Sequence, residues 1–250
     1  MIILKSPDEI AKMRRAGRIV AGTIDRVLAA VRPGLTTGGL DEVAEAYIDE
    51  QGAIPSFKGY RGFPASICAS LNDEVVHGIP GSRKLKPGDI LSLDFGAIWE
   101  GYHADSAVTV FVGESPSAEA EKLVRVTEDA LEAGISEIRA GKRLSDIGHA
   151  VQQVVEGAGF GVVREYVGHG IGRSLHEDPQ IPNYGPPGRG PEVKPGLVVA
   201  VEPMVNMGGW ETRVLPDRWT VVTADGSLSA HFEHTIAVTD DGPEVLTARD

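Results

Sequence analysis

Apolar residues near the start of the chain recur every three or four positions. Ile10, Met13, Gly17, Val20, Ile24, Val27 and Val31 share one face of a helix. Ser6-Pro7-Asp8-Glu9 supplies its start, with Ser6 as cap, Pro7 at the first helical position and Glu9 completing a capping box. Pro33-Gly34 stops it, and the apolar run before Ser6 reads as a strand. A second helix is predicted from about Leu40 to Gln51, closed by Gly52. A later pair is predicted from about Ser117 to Ala140 and from about Ser145 to Glu156. Apolar and β-branched runs at Ile90–Ala97, Ser106–Val112, Leu197–Val201 and Phe232–Val238 predict strands. Residues 181–195, dense in proline and glycine, predict a loop. Helices come in pairs and so do strands, which predicts an α+β fold and not an alternating parallel one.

The chain also echoes itself. Lys86-Pro87-Gly88-Asp89-Ile90-Leu91-Ser92-Leu93-Asp94 aligns with Lys194-Pro195-Gly196-Leu197-Val198-Val199-Ala200-Val201-Glu202: a turn, a buried strand, an acid at the strand's end. His103-Ala104-Asp105 resembles His231-Phe232-Glu233, and His77-Gly78-Ile79 resembles His169-Gly170-Ile171. The expectation is one domain over residues 1–250, built from two similar halves, about 1–115 and 116–250. A pseudo-two-fold axis would relate them, and each would give acids to one central cleft.

Asp94 and Asp105 fall on consecutive strands joined through Glu100-Gly101, so a hairpin can set them side by side. Glu202 and Glu233 are their counterparts. Two carboxylates about 4 Å apart repel by roughly 4 kcal/mol at an effective dielectric near 20, so four cannot stay buried and ionised uncompensated. Two divalent cations would balance them, and an imidazole such as His169 favours transition metals over magnesium or calcium. Any one of these acids alone is more often solvated or ion-paired. The repeated set is what points to metal.

Composition narrows the setting. A formal net charge of −12 over 250 residues argues against general nucleic-acid binding, so no DNA partner is expected. The single cysteine, Cys68, permits no intrachain disulfide and fits a reducing compartment. No segment is apolar for long enough to span a bilayer, and the N-terminal run is too short for a signal peptide. A cytoplasmic monomer without a membrane partner is expected.

Asp94, Asp105, His169, Glu202 and Glu233 resemble, in order and spacing, the five-ligand pattern of the methionine aminopeptidases. Asn72-Asp73-Glu74-Val75-Val76-His77-Gly78-Ile79-Pro80, Gly168-His169-Gly170-Ile171-Gly172 and Ser229-Ala230-His231-Phe232-Glu233-His234-Thr235 match as well. The resemblance covers nearly the whole chain and is to the short, bacterial-like first type. It implies the pita-bread (creatinase/aminopeptidase-like) fold, with pseudo-two-fold antiparallel sheets and flanking helix pairs. It implies one metal on Asp94, Asp105 and Glu233 and a second on Asp105, His169, Glu202 and Glu233, with Asp105 and Glu233 bridging. Cobalt, manganese, iron and zinc all suit that donor set.

By the same resemblance a metal-bridging water or hydroxide attacks the scissile carbonyl, with Glu202 as proton acceptor. His176 would stabilise the oxyanion, and His77 would contact the scissile nitrogen. Tyr60, Phe63, Cys68, Leu175 and Trp219 would line a methionine pocket, suited to a thioether by sulfur–aromatic contact. Leu175 stands where bacterial relatives commonly carry an aromatic residue. His103 and His231, two residues ahead of acids, are candidates to orient carboxylates. The implied activity is removal of the initiator methionine from nascent chains, preferring a small second residue.

Three other readings compete. A proline-specific aminopeptidase or creatinase of the same fold would usually carry an extra N-terminal domain. A non-catalytic binding protein would be expected to have lost ligands, and a two-metal phosphoesterase would recruit more histidines or basic phosphate contacts. Lys12, Arg14, Arg15 and Arg18 form a basic cluster that either touches the ribosome transiently or is a solvated helix face.

Overall fold

The computed structural model describes residues 1–139 and 141–249. Helix α1 spans Pro7–Leu28, and both capping-box bonds form: Ser6 Oγ accepts from the Glu9 N–H, and Glu9 Oε2 accepts from the Ser6 N–H. It ends before Val31 because the chain tightens there into turns, with the Ala30 and Val31 N–H groups reaching back to Val27 and Leu28. Helix α2 spans Thr37–Glu50, starting ahead of the apolar pattern because Thr36 Oγ1 caps the Gly39 N–H. Helix α3 covers Ala118–Ser136 behind a Ser117 cap, and α4 covers Leu144–Gly157. The end expected for α3, Ala140, lies outside the described residues.

The first five residues form no strand, contrary to their pattern. The Lys5 N–H donates to the Gly196 carbonyl, but the Gly196 N–H is already committed to Val238, so the ladder cannot extend. The strand expected over Phe232–Val238 is two strands, Ser229–His231 and His234–Thr239. At the break the Phe232 N–H turns to the Pro203 carbonyl, and Glu233 exchanges both backbone hydrogen bonds with Ala107. Residues 182–195 carry one isolated bridge, Arg143 to Glu192, and otherwise form the expected loop.

All strand pairing is antiparallel. In one sheet Ile90–Trp99 pairs along its whole length with Tyr102–Phe111, while Ile67–Leu71 and Ile54–Pro55 share its other edge. A five-stranded sheet runs in the order Gly242–Val245, His234–Thr239, Val198–Val201, Gly168–Gly170, Glu177–Ile181. The Glu233–Ala107 exchange ties these sheets together. One core cluster takes Ile19 and Val20 from α1, Leu91, Leu93 and Phe95 from the hairpin, and Val199, Val201 and Ile236 from the five-stranded sheet. Leu131 of α3 and Ile147 of α4 close the same cluster. The site is thus framed by two sheets that share a core.

Candidate metal centre

The hairpin sets Asp94 opposite Ala107 and Asp105 opposite Gly96, so the two acids are diagonal neighbours on one face. Asp94 lies mid-strand, not at the strand's end as its sequence context suggested, because pairing continues to the Glu100-Gly101 turn. Gly96 has to lack a side chain: a Cβ there would stand 2.7 Å from Ser56 Cβ and 2.8 Å from Phe57.

The other acids arrive by irregular backbone. Glu202 follows directly on the strand Val198–Val201, and its carbonyl accepts from the Asn183 amide at 2.9 Å. Glu233 sits in the break between two strands, where its carbonyl also accepts from the Ser106 hydroxyl at 2.6 Å. Thr235 Oγ1 donates to Asp105 Oδ1 at 3.0 Å and accepts from the Asp105 N–H at 3.0 Å. His169, on the strand Gly168–Gly170, places Nε2 3.6 Å from Asp105 Oδ2 and 3.4 Å from Glu202 Oε1. Its Nδ1 faces the Gly170 carbonyl at 2.9 Å, which leaves Nε2 free as a lone-pair donor. One ligand atom each from Asp105, His169 and Glu233 falls within 4.8 Å of the others.

The electrostatics call for a cation. Burial raises Asp94, Glu202 and Glu233 well above the ordinary carboxylate range, and repulsion from neighbouring acids raises them further. Burial raises Asp105 too, and His169 partly offsets it. Among the described residues only His169 and His231 come within ion-pair distance of any of the four, and no Lys or Arg does. Asp94 Oδ1 is buried with no hydrogen-bond partner. Orphaned oxygens of this kind, beside an imidazole and three further carboxylates, fit a divalent transition metal.

Above the acids lies a cavity of about 280 Å³ whose lining includes every residue given a metal, catalytic or pocket role from the sequence: Tyr60, Phe63, Cys68, His77, Asp94, Asp105, His169, Leu175, His176, Glu202, Trp219 and Glu233. His176 lies against His169, with ring centroids 4.2 Å apart and planes tilted by 46°, and its Nδ1 meets the Tyr60 hydroxyl at 2.8 Å. Burial holds His77 at about 4 and His176 at about 3, so both are neutral imidazoles at ordinary pH. His77 adopts φ 60°, a left-handed conformation costly for a side chain of its size and characteristic of functional positions. Its ring meets Tyr166 and Trp219 edge-on, and Phe63 meets Trp219 at 5.1 Å.

Two histidines suspected of orienting acids behave differently from each other. His231 directs a buried, unpartnered Nε2 toward Glu202 Oε2 at 3.9 Å, and not toward Glu233, because the strand breaks between them. His103 Nδ1 instead meets the Ser56 hydroxyl at 3.0 Å. The cavity also takes in Phe57, Arg61 and Tyr166, which the sequence did not mark. Tyr166, three residues ahead of His169, carried a positional signal. Phe57 and Arg61 carried none.

Comparison with known proteins converges on one group. Residues 11–240 match the metallopeptidase family M24. The Bacillus subtilis protein named methionine aminopeptidase 1 is 58% identical over 99% of both chains. A crystal structure of methionine aminopeptidase from Thermotoga maritima is 47% identical, covers 100% of both chains and superposes with a TM-score of 0.97. A prolidase from Pyrococcus furiosus, 19% identical with a TM-score of 0.82, covers 99% of this chain but 66% of its own and shows the shared pita-bread fold alone. The chain belongs to metallopeptidase family M24 and, within it, to the methionine aminopeptidases.

Proposed function

We propose that this protein removes the N-terminal methionine from peptides and nascent proteins, preferring a small second residue. Asp94, Asp105, His169, Glu202 and Glu233 would hold two divalent ions, with Asp105 and Glu233 shared between them. One observation carries the reading: four carboxylates, two buried (Asp105, Glu233) and two half-buried (Asp94, Glu202), converge with no lysine or arginine of the described residues within ion-pair distance, on the floor of a cavity walled by aromatic side chains and the Cys68 thiol. Divalent ions, when bound, supply Lewis acidity, which polarises a carbonyl and makes water a nucleophile at neutral pH.

The chain's own residues do the rest. Phe63, Trp219, Leu175, Cys68 and Tyr60 bind an unbranched apolar side chain and exclude water around it. With the Tyr60 hydroxyl, 2.8 Å away, as the donor to His176 Nδ1, the imidazole proton would sit on Nε2. That N–H then donates to the scissile carbonyl oxygen as it gains charge. His77 contacts the departing nitrogen, and Glu202 accepts the proton released by water.

The whole chain acts as a single catalytic domain of two related halves, about 1–115 and 116–250, working in the cytoplasm as a monomer. What supports the compartment is the single thiol, Cys68; among the described residues no helix is long and apolar enough to cross a membrane. Three of the four cations in the basic cluster on α1 are engaged internally: Lys12 with Glu100, Arg14 with Glu244, and Arg15 with Gln51 and the Trp99 ring. That favours a self-paired, solvated face over a ribosome contact.

The test is methionine release from Met-Ala and Met-Leu peptides by chelated protein resupplied with cobalt, manganese, iron or zinc. Release from Met-Ala should require metal and exceed release from Met-Leu. Equal cleavage of Leu-Ala and Met-Ala would remove the methionine assignment.

A further inference from the structure

We propose that Lys5 and Glu177, far apart in sequence and outside the cavity, are positioning residues that hold His176 in working geometry; the idea rests on the role given to His176 above. Lys5 Nζ donates to Glu177 Oε2 at 2.7 Å and to the Ile3 carbonyl at 3.0 Å, and the two side chains are 3% and 10% exposed. Ion pairs this buried add little net stability over an apolar pair, and their best use is to fix one arrangement against others.

The arrangement fixed here is the turn 172–177. Glu177 Oε1 accepts from the Ser174 N–H at 3.2 Å, and the Gly172 N–H reaches the Ser174 carbonyl at 3.1 Å. The pair lies directly on the Gly172 α-carbon: a Cβ there would meet Lys5 Cε at 2.6 Å and Glu177 Oε1 at 2.7 Å. Gly172 is therefore bare so that a lysine from the N-terminal segment can pass over the turn. Leu175 and His176 are the next residues before Glu177, and both face the cavity. On its other side the Lys5 N–H is bonded to the Gly196 carbonyl, which anchors the lysine to the loop leading into the five-stranded sheet. The turn carrying His176 is thus clamped to the scaffold from behind. Displacement of an oxyanion donor by an ångström can cost on the order of a hundredfold in rate.

The experiment compares Lys5→Met, Lys5→Arg and the double variant Lys5→Met/Glu177→Gln with the parent, all loaded with manganese(II). Lys5→Met should lower kcat on a Met-Ala peptide by about 10–100-fold. Calorimetric manganese affinity should stay within about threefold of the parent, because none of the five proposed ligands lies on the turn. Lys5→Arg keeps the charge and should retain most of the rate. The double variant leaves no unpaired charge but still lacks the bond, so it should stay close to the rate of Lys5→Met. Independently of catalysis, amide hydrogen exchange over residues 172–176 should accelerate about tenfold or more in Lys5→Met. A kcat unchanged in folded Lys5→Met overturns the proposal. So does a loss of manganese affinity in step with rate, or recovery of parental kcat by the double variant, which would place the loss in the unpaired charge and not in the bond. A parent inactive on Met-Ala indicts the functional reading instead, while the exchange result still reports on the clamp.

Discussion

The two pairs of carboxylates reach one place by unlike routes. Asp94 and Asp105 stand on a regular hairpin, ten residues to a strand, where register alone makes them neighbours. Glu202 and Glu233 stand where strands stop, and each is held through its backbone by a group from elsewhere: Asn183 for the first, Ala107 and Ser106 for the second. Rigid pairing positions one pair, and interruption of pairing positions the other. A break in a ladder frees a residue to leave the alternating pattern and aim its side chain across the gap between sheets. The cost is that its placement depends on a few isolated hydrogen bonds and not on a continuous ladder.

That contrast can be tested in order of effect. Glu233→Gln and Asp105→Asn should both reduce methionine release to the level of a blank, since each removes a charge proposed to be shared by two ions; calorimetry should show loss of tight manganese binding. Retained tight binding in either would mean the acids do not form one site. His176→Ala, which leaves the acids intact, should cost about 10²–10³ in kcat, with metal affinity preserved. Thr235→Val removes the hydroxyl that bridges the Asp105 N–H and the Asp105 oxygens from the interrupted strand, and should weaken metal affinity about 10–100-fold.

Protonation gives a further handle. In metal-free protein Asp94, Glu202 and Glu233 have folded pKa values raised well above their unfolded ones. Their contribution to stability is therefore fully present below the unfolded pKa, roughly 4, and is lost as pH rises through the raised values. The melting temperature of chelated protein should fall as pH rises above the ordinary carboxylate range while that of loaded protein holds, so the gap widens with pH. A constant gap would mean that the acids are compensated without metal. The smallest effect should come from the regular route: Gly96→Ala forces a methyl against Ser56 and Phe57, costing about 1–3 kcal/mol of stability. Differential scanning calorimetry reads that directly.

The same contrast explains what the sequence disclosed. Helix α1 was legible because capping and periodicity agree at Ser6, Glu9 and the apolar row. The Asp94–Asp105 hairpin was legible because two apolar runs flank an obvious turn. The break at Phe232 was not, because apolar content is continuous across it and only a partner distant in sequence, Ala107, decides where pairing stops. Cavity residues followed the family pattern where motifs reach, as at His77 and His169. They escaped where the contribution comes from a turn with no periodicity, as at Phe57 and Arg61. The clamp at Lys5 had no local signal at all, since its meaning lies in a glycine and a glutamate on the far side of the chain.

Cys68 pairs in register with Asp94, so a sulfur atom sits beside the acids that are to hold metal. Burial above all, and then the negative charge of Asp94 and Glu233, raises its pKa well above the ordinary thiol value and keeps it protonated. A protonated thiol neither captures a soft ion nor oxidises readily. In the metal-free protein the cavity therefore presents a neutral, polarisable sulfur where a thioether side chain would sit.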